Sequence, residues 1–158
     1  MSTTIEFNAQ STIRSIVPNV FNTMAALSVA PGDASPAGIE NDRVSGTIGI
    51  AGDTVTGAVY VHLPEALARR IVNAMMGNPA DQAVEDGDMN DVVGELTNMI
   101  GGGFKSALCD ANRPCAMSTP SIIRGAYAIE VPHDLQAEAV HFKCGEFSFS
   151  IEVHTRFD

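Results

Sequence analysis

The chain has 158 residues, of which 45% are hydrophobic and 18% are charged. This length and composition are typical of one folded domain with a substantial core, so we expect a single domain over residues 1–158. The formal net charge of −10 argues against nucleic acid and anionic lipid as partners, because both need a basic surface. It favours a partner with a positively charged face, although surplus surface carboxylates also serve solubility alone.

The chain shows no sign of a membrane or secretory destination. No stretch approaches the roughly 20 apolar residues of a transmembrane helix. The segment 1–6 has neither the basic nor the apolar region of a secretory signal. Cys109, Cys115 and Cys144 form an odd set without CxxC spacing, as expected for reduced, packed thiols. We therefore predict a cytoplasmic protein without membrane insertion.

The first predicted element is a helix. Residues 1–10 are expected to form a short strand or a loose arm, and apolar residues at helical spacing then predict a helix over 11–27. Pro18 lies inside this pattern, so the helix either starts near it or kinks there. Prolines and glycines mark residues 30–38 as a turn-rich loop.

A hairpin and a second helix are predicted next. The β-rich runs 44–50 and 55–63 are joined at Gly52-Asp53, and the second run alternates as a half-buried strand should. A proline followed by a glutamate opens a helix over 64–76, with proline at the first helical position. Gly77-Asn78-Pro79 is a strong helix stop.

The remaining elements complete an α+β order. Residues 80–87 are an acidic loop, Asp88 is the expected N-cap of a third helix, and that helix ends near Leu108 or Asp110. A polar connection over 109–119 follows. Three further strands are predicted, over 122–131, 139–143 and 147–155. The order of elements is typical of an α+β domain with helices packed on a mostly antiparallel sheet.

The third helix carries the most informative pattern. At 100° per residue its core face comprises Val92, Val93, Leu96, Met99, Ile100, Gly103, Phe104 and Ala107. A narrow polar stripe lies away from this face and contains Asp91, Glu95, Asn98 and Gly102. Residues three apart on a helix are neighbours, so Glu95 and Asn98 are expected to project side by side into solvent. Such a pair suits insertion into a partner's active site, whereas a polar stripe by itself is also what an ordinary solvated helix face shows.

Three consecutive glycines follow the polar pair by one turn. Gly101, Gly102 and Gly103 each cost a helix interior about 1 kcal/mol relative to alanine, so stability alone does not account for them. Two interpretations stay open. The glycines either let another surface approach closely, as part of a docking face, or they permit a bend in the helix.

The motif resembles a known family. The pattern Asp91-xxx-Glu95-xx-Asn98, followed at a distance by Pro120 just before a predicted strand, is similar to the signature of the CheC/CheX/FliY phosphatases of bacterial chemotaxis. The first helix offers Asn19 and Asn22 but no second Glu-x-x-Asn site, and a single site points to the CheX members. The element order fits the family over nearly the whole chain. The resemblance therefore implies a CheC-like fold.

The resemblance also implies an activity. Members dephosphorylate the response regulator CheY, so the chain is expected to be a hydrolase in chemotaxis and two-component signalling that acts on an aspartyl phosphate. Asn98 would orient the attacking water, because a carboxamide both accepts and donates hydrogen bonds. Glu95 would dock on the active-site lysine of the receiver. Asp91 either stabilises the helix N-terminus or contacts the partner, and Pro120 is interpreted as a structural turn residue.

The same resemblance implies the partners of the chain. We expect a phosphorylated CheY-type receiver domain as partner and a homodimer formed through strand exchange at the sheet edge. His62, His133, His141 and His154 are scattered in the sequence, so no metal site and no cofactor are predicted for this chain. Any Mg²⁺ would belong to the receiver. The alternative function is a non-catalytic binding module that captures phosphorylated receivers, and a structural role in the flagellar switch is disfavoured by the intact Glu95/Asn98 pair.

Overall fold

The computed structural model describes residues 7–33 and 42–158. Its elements in chain order are α1 (Ala9–Ala25), β1 (Ala30–Pro31), β2 (Arg43–Gly52), β3 (Val55–Pro64), α2 (Glu65–Met76), α3 (Asp86–Asp110), β4 (Cys115–Met117), β5 (Ser121–Arg124), β6 (Gln136–Cys144) and β7 (Phe147–Phe157). The predicted arm over residues 1–6 and the loop residues 34–38 lie outside the described residues. The predicted α+β class is confirmed, because helices pack on a mostly antiparallel sheet.

Over the described residues the sheet has seven strands, in the order β1-β6-β7-β3-β2-β4, and β5 also pairs with β2. Every described pairing is antiparallel. The strands β2 and β3 form the predicted hairpin, with Ile48 opposite Val59. Two short strands share the outer edge of β2, because β5 pairs with its first half and β4 with its last residues.

The core lies between the sheet and the helices. Alternate residues along a strand point to opposite faces, and the apolar set of β2, β3 and β7 joins the apolar faces of α1, α2 and α3 in one buried cluster. Phe149 of β7 stacks on Phe21 of α1 and on Phe142 of β6, with ring centroids 4.8 and 5.3 Å apart. Within the described ranges, no helix combines the length and apolarity needed to cross a bilayer.

The helix α1 begins at Ala9, so the alternative in which it starts near Pro18 is wrong. Asn8 is its N-cap and accepts a hydrogen bond from the Ser11 amide at 2.9 Å. Pro18 therefore lies inside the helix rather than at its start. The missing amide of a proline costs helical stability, but fully buried Ile13, Val17 and Phe21 anchor the helix on both sides of it.

Four further features differ from the predictions. Asp88 is not the N-cap of α3, because the helix already begins at Asp86 and Glu85 occupies the cap position. The predicted strand 122–131 ends at Arg124, where Gly125 adopts a left-handed conformation with φ 90°. The strands β1 and β4 fall in segments predicted as loops. Such short edge strands exist because a neighbouring strand pairs with them, which local sequence does not reveal.

Candidate functional site

The polar stripe of α3 faces outward. Asp91, Glu95 and Asn98 are exposed, and Gly102 is half-buried. On the opposite face, Leu96 and Ile100 are buried in the core. The predicted helical register is therefore confirmed, and it places a carboxylate and a carboxamide one turn apart on the outside of the domain.

A close contact between α3 and the sheet lies directly beneath this pair. Thr97 is completely buried, and its Oγ1 donates to the Val93 carbonyl at 2.7 Å. Gly46 of β2 lies against it. A Cβ atom added to Gly46 would overlap Thr97 Oγ1 and would lie 2.9 Å from Thr97 Cβ. Because Thr97 precedes Asn98 in the helix, this contact fixes how far the carboxamide stands above the sheet.

The glycine run divides into two kinds of position. A Cβ atom at Gly101 would lie 2.9 Å from Ile48 Cγ2, and one at Gly103 would lie 3.1 Å from Ile16 Cγ2. These two glycines let α3 pack closely on β2 and α1. Gly102 has nothing within 4 Å of an added Cβ and, although half-buried, continues the polar stripe. Gly101 thus supports the motif from inside the domain, and a docking role stays a prediction for Gly102.

Pro120 borders the stripe from the side. It immediately precedes β5, and its Cγ would lie 3.9 Å from a Cβ atom added to Gly94 of α3. Gly94 is the neighbour of Glu95 in sequence, so Pro120 flanks the turn that carries the carboxylate. The chain thus brings together two parts of the predicted motif that are distant in sequence.

The surroundings of the stripe are acidic. Six exposed carboxylates occupy the connection before α3 and its first half: Asp81, Glu85, Asp86, Asp88, Asp91 and Glu95. Buried Asn73 of α2 anchors the start of this segment, because its Nδ2 donates to the carbonyls of Ala80 at 3.2 Å and Gln82 at 2.9 Å. Sequence reasoning did not single out Asn73, whose partners lie in the loop after its own helix. The acidic face suits a partner with positive charge at the docking surface.

A second polar cluster lies on the other side of the sheet. Ser45 alternates with Gly46, which faces α3, so Ser45 points away from the helices. Its hydroxyl lies 2.8 Å from His62 Nδ1. His62 Nε2 is 3.7 Å from one oxygen of Glu152, and His154 Nε2 is 2.6 Å from the other. The two histidines that appear scattered in the sequence therefore share one carboxylate.

The two histidines also affect the ionisation of Glu152. The interaction with His62, together with the shorter contact from His154, lowers the pKa of Glu152 against the opposing effect of its burial. Both imidazoles are buried. Among residues 7–33 and 42–158, no three His, Cys, Asp or Glu side chains are arranged to hold a metal ion. The cluster belongs to the sheet and is separated from the α3 stripe by the sheet itself.

The stripe combines a hydrogen-bonding carboxamide with a carboxylate. A carboxamide can accept a hydrogen bond from water and donate one to an oxygen, and a carboxylate can accept one from an ammonium group. Both Glu95 and Asn98 are exposed on the helix surface, so both side chains are accessible to another molecule.

Comparisons with known proteins agree with this geometry. A family model described as "Chemotaxis phosphatase CheX" matches residues 44–143. The structure is similar to CheX from Vibrio vulnificus, with 27% identity, coverage of 92% of this chain and 97% of that chain, and a TM-score of 0.77. It is also similar to a CheC-like superfamily protein from Shewanella sp. PV-4, with 29% identity, coverage of 95% and 99%, and a TM-score of 0.78.

A more distant structure shares the fold alone. It is the CheX–CheY–BeF₃–Mg²⁺ complex from Borrelia burgdorferi, with 18% identity, coverage of 96% of this chain and 99% of that chain, and a TM-score of 0.72. A comparison with curated proteins finds no significant match.

Proposed function

The chain belongs to the CheX family of chemotaxis phosphatases, and from that premise we propose that it hydrolyses the aspartyl phosphate of a CheY-type response regulator. The observation that carries the proposal is the exposure of Glu95 and Asn98, side by side, on a helix held to the sheet by the Gly46–Thr97 contact. The Borrelia relative, whose structure contains CheY, supports a receiver domain as the partner.

Asn98 is the proposed water-orienting residue. An acyl phosphate is already reactive, so catalysis depends mainly on placing a water in line with phosphorus. The carboxamide oxygen accepts a hydrogen bond from that water, and the amide NH₂ donates to a phosphoryl oxygen. Attack forms a bond between the water oxygen and phosphorus and breaks the bond to the aspartyl oxygen, which releases inorganic phosphate and the free carboxylate.

Glu95 is the proposed docking residue. A carboxylate placed directly against a phosphoryl group is repelled, so a role as the base is disfavoured. A contact with the ammonium group of a receiver lysine instead forms a charge-assisted hydrogen bond that fixes the orientation of α3 in the cleft. The acidic surroundings of Glu95 reinforce attraction to a positively charged receiver face.

Asp91 is assigned to the partner rather than to the helix terminus. The acids in the first turn of α3 are Asp86 and Asp88, and the macrodipole effect falls off within that turn. Asp91 lies beyond it and on the exposed stripe. Its proposed role is therefore an additional contact with the receiver.

The metal requirement is assigned to the receiver. The Mg²⁺ named in the Borrelia complex supports the prediction that Mg²⁺ belongs to the partner, and we propose no cofactor held by this chain. A divalent ion neutralises charge on a phosphoryl group during transfer. The residues of this chain orient water and dock on the receiver.

Release of phosphate from a charged receiver, meaning one that is phosphorylated on its aspartate, tests the proposal. A CheY-type receiver is phosphorylated with acetyl phosphate in Mg²⁺, and its dephosphorylation is followed with and without the protein. Wild-type protein should accelerate the reaction, and Asn98→Ala should reduce the acceleration by about 100-fold, as for removal of one catalytic hydrogen-bonding group. Asn22→Ala, on the exposed side of α1, is the matched control and should act as wild type.

The outcomes separate the two candidate functions. Acceleration that survives Asn98→Ala contradicts the assignment of the water-orienting residue. Binding of the charged receiver without any acceleration would favour the binding module over the phosphatase.

The proposed assembly is a cytoplasmic homodimer of a single-domain chain. Among the described strands, one edge of the sheet is at β1 and the other at β4 and β5, and strand exchange at either edge would form the dimer. Sedimentation equilibrium of the purified chain tests this, because a monomer at micromolar concentration would contradict it.

A further inference from the structure

One side chain links the edge of the sheet to the first turn of α3. Arg124 is the last residue of β5. Its Nη2 donates to Asn90 Oδ1 at 2.7 Å and to the Asp86 carbonyl at 3.2 Å. Nη2 also lies 3.8 Å from the Asp86 carboxylate, and Nη1 lies 3.6 Å from Met89 Sδ. A single guanidinium therefore touches three residues at the start of the helix.

This turn lacks a side-chain cap. Glu85 occupies the N-cap position but makes no side-chain capping hydrogen bond. Helix ends without a cap leave amide groups unpaired and tend to fray. The turn also carries the carboxylates of Asp86 and Asp88, which interact favourably with the positive end of the helix dipole. Among the described residues, Arg124 is the only Lys or Arg that forms an ion pair with a carboxylate of α3.

Arg124 is itself firmly held. Its backbone lies opposite Val44 in the β2–β5 ladder, and the amide of the following Gly125 donates to the Arg43 carbonyl at 2.8 Å. The same strand begins after Pro120, which flanks Gly94. β5 thus borders the first half of α3 at two points, and it connects that half to the central hairpin.

From this arrangement we propose that Arg124 is a positioning residue, which holds the first half of α3 so that Asp91 and Glu95 meet the receiver in the correct geometry. The inference rests on the proposed function and deepens it. Asn90, which Arg124 binds, directly precedes Asp91, and Glu95 follows one turn later. Asn98 is positioned separately by the Thr97–Gly46 contact.

The contacts of Arg124 and the Thr97–Gly46 contact hold different parts of the stripe. This division predicts a specific kinetic signature. Loss of Arg124 disturbs the docking half of the stripe and leaves the water-orienting carboxamide in place. A change in docking alone raises KM, whereas loss of an interaction made only in the transition state lowers kcat. We expect Arg124→Ala to raise KM for the charged receiver by about 3- to 10-fold with kcat unchanged.

The experiment compares variants of the full chain in steady-state dephosphorylation. Asn90→Ala should also raise KM, and the double variant should be no worse than Arg124→Ala, because the two residues form one interaction. Arg124→Lys should not restore KM, since an ammonium group does not reproduce the planar fork that serves both acceptors.

Arg113→Ala is the matched control for loss of an arginine near α3. Arg113 follows the other end of the helix, donates to the Thr54 carbonyl at 2.8 Å and stacks on Phe157. Its loss should lower the melting temperature and leave KM unchanged. Hydrogen exchange gives a partner-independent reading: Arg124→Ala should speed exchange over residues 86–95 and not over 104–110.

Several results would overturn the proposal. These are an unchanged KM and exchange rate in Arg124→Ala, additive effects of the two single substitutions, or the same changes in kcat and KM in Arg124→Ala and in the control Arg113→Ala. Failure of the proposed function is recognised separately, by a wild-type chain that gives no turnover. In that case the same variants are compared by their Kd for the charged receiver, and equal Kd values would overturn the positioning role.

Discussion

Gly46 of β2 and Thr97 of α3 approach so closely that no side chain fits at position 46. The contact lies beneath the exposed Glu95 and Asn98, and Thr97 is fully buried. One further turn along the same interface the roles reverse, because Gly101 of the helix accommodates Ile48 of the strand. The candidate site is therefore held by two complementary glycine contacts, one from each element.

Gly46→Ala should destabilise the protein and displace the exposed pair. The added methyl group would overlap Thr97 Oγ1, and overpacking of this kind costs about 1–3 kcal/mol. Urea denaturation measures the loss, and dephosphorylation of the charged receiver should fall with it. Gly49→Ala on the same strand is the control, since a Cβ there would make an ordinary contact of 3.5 Å with Ser118. Equal stability of the two variants would contradict the proposed packing.

Gly101→Ala and Gly102→Ala should have opposite effects on stability. Alanine at position 102 meets open space and should stabilise α3 by about 1 kcal/mol through helix propensity. Alanine at position 101 would press on Ile48 and Met117 and should destabilise. Thermal unfolding distinguishes them. If Gly102 belongs to the docking face, the more stable variant should also show a higher KM for the receiver, and an unchanged KM would remove Gly102 from that face.

Glu95→Lys should abolish productive docking without unfolding the protein. The exposed carboxylate would become an ammonium group facing the positively charged receiver lysine, and repulsion at such a contact costs several kcal/mol. We expect kcat/KM to fall by about 100-fold or more. Glu146→Lys makes the same charge change at the exposed β6–β7 turn and should leave kcat/KM nearly unchanged. Similar losses in both variants would indicate that only the overall charge matters.

Glu152→Gln should reduce the dependence of the free energy of unfolding on pH in the acidic range. The pKa of Glu152 is lowered in the folded state, chiefly by His62 and with a further contribution from His154. A carboxylate with a lowered pKa stabilises the fold above its unfolded value of about 4.3, and that stabilisation is lost as pH falls through the lower folded value. The glutamine variant should therefore be less stable than wild type at pH 7, and the difference should narrow below about pH 4.

Urea denaturation at several pH values measures this difference. Asp134→Asn is the control, because the pKa of Asp134 is also lowered, by Arg156, but this carboxylate lies on the surface. Solvent screening makes such exposed pairs weak, so the control should differ little from wild type at any pH. If the free energies of unfolding of wild type and Glu152→Gln differ by the same amount at every pH, the proposed stabilisation by the shared carboxylate is contradicted.

Local sequence patterns correctly predicted the features that depend only on residues close together in the chain. The 3.6-residue period of α3 correctly separated the exposed stripe from the core face, since that spacing depends only on helix geometry. Gly77, left-handed with φ 71°, ends α2 as predicted. Asn73 and the N-cap of α3 were missed, because their partners are chosen by how neighbouring segments fold back on each other.

The sequence by itself determined the α+β class, the outward placement of Glu95 and Asn98, and the resemblance to the CheX family, because these follow from periodicity and a short motif. Only the tertiary structure decided which distant residues support them. Thr97 rests on Gly46, Asn90 is bound by Arg124, and Pro120 flanks Gly94. These pairs meet because the antiparallel register of β5 on β2 and the packing of α3 against that sheet bring them together. Non-local pairing of this kind leaves no periodic signal in the sequence.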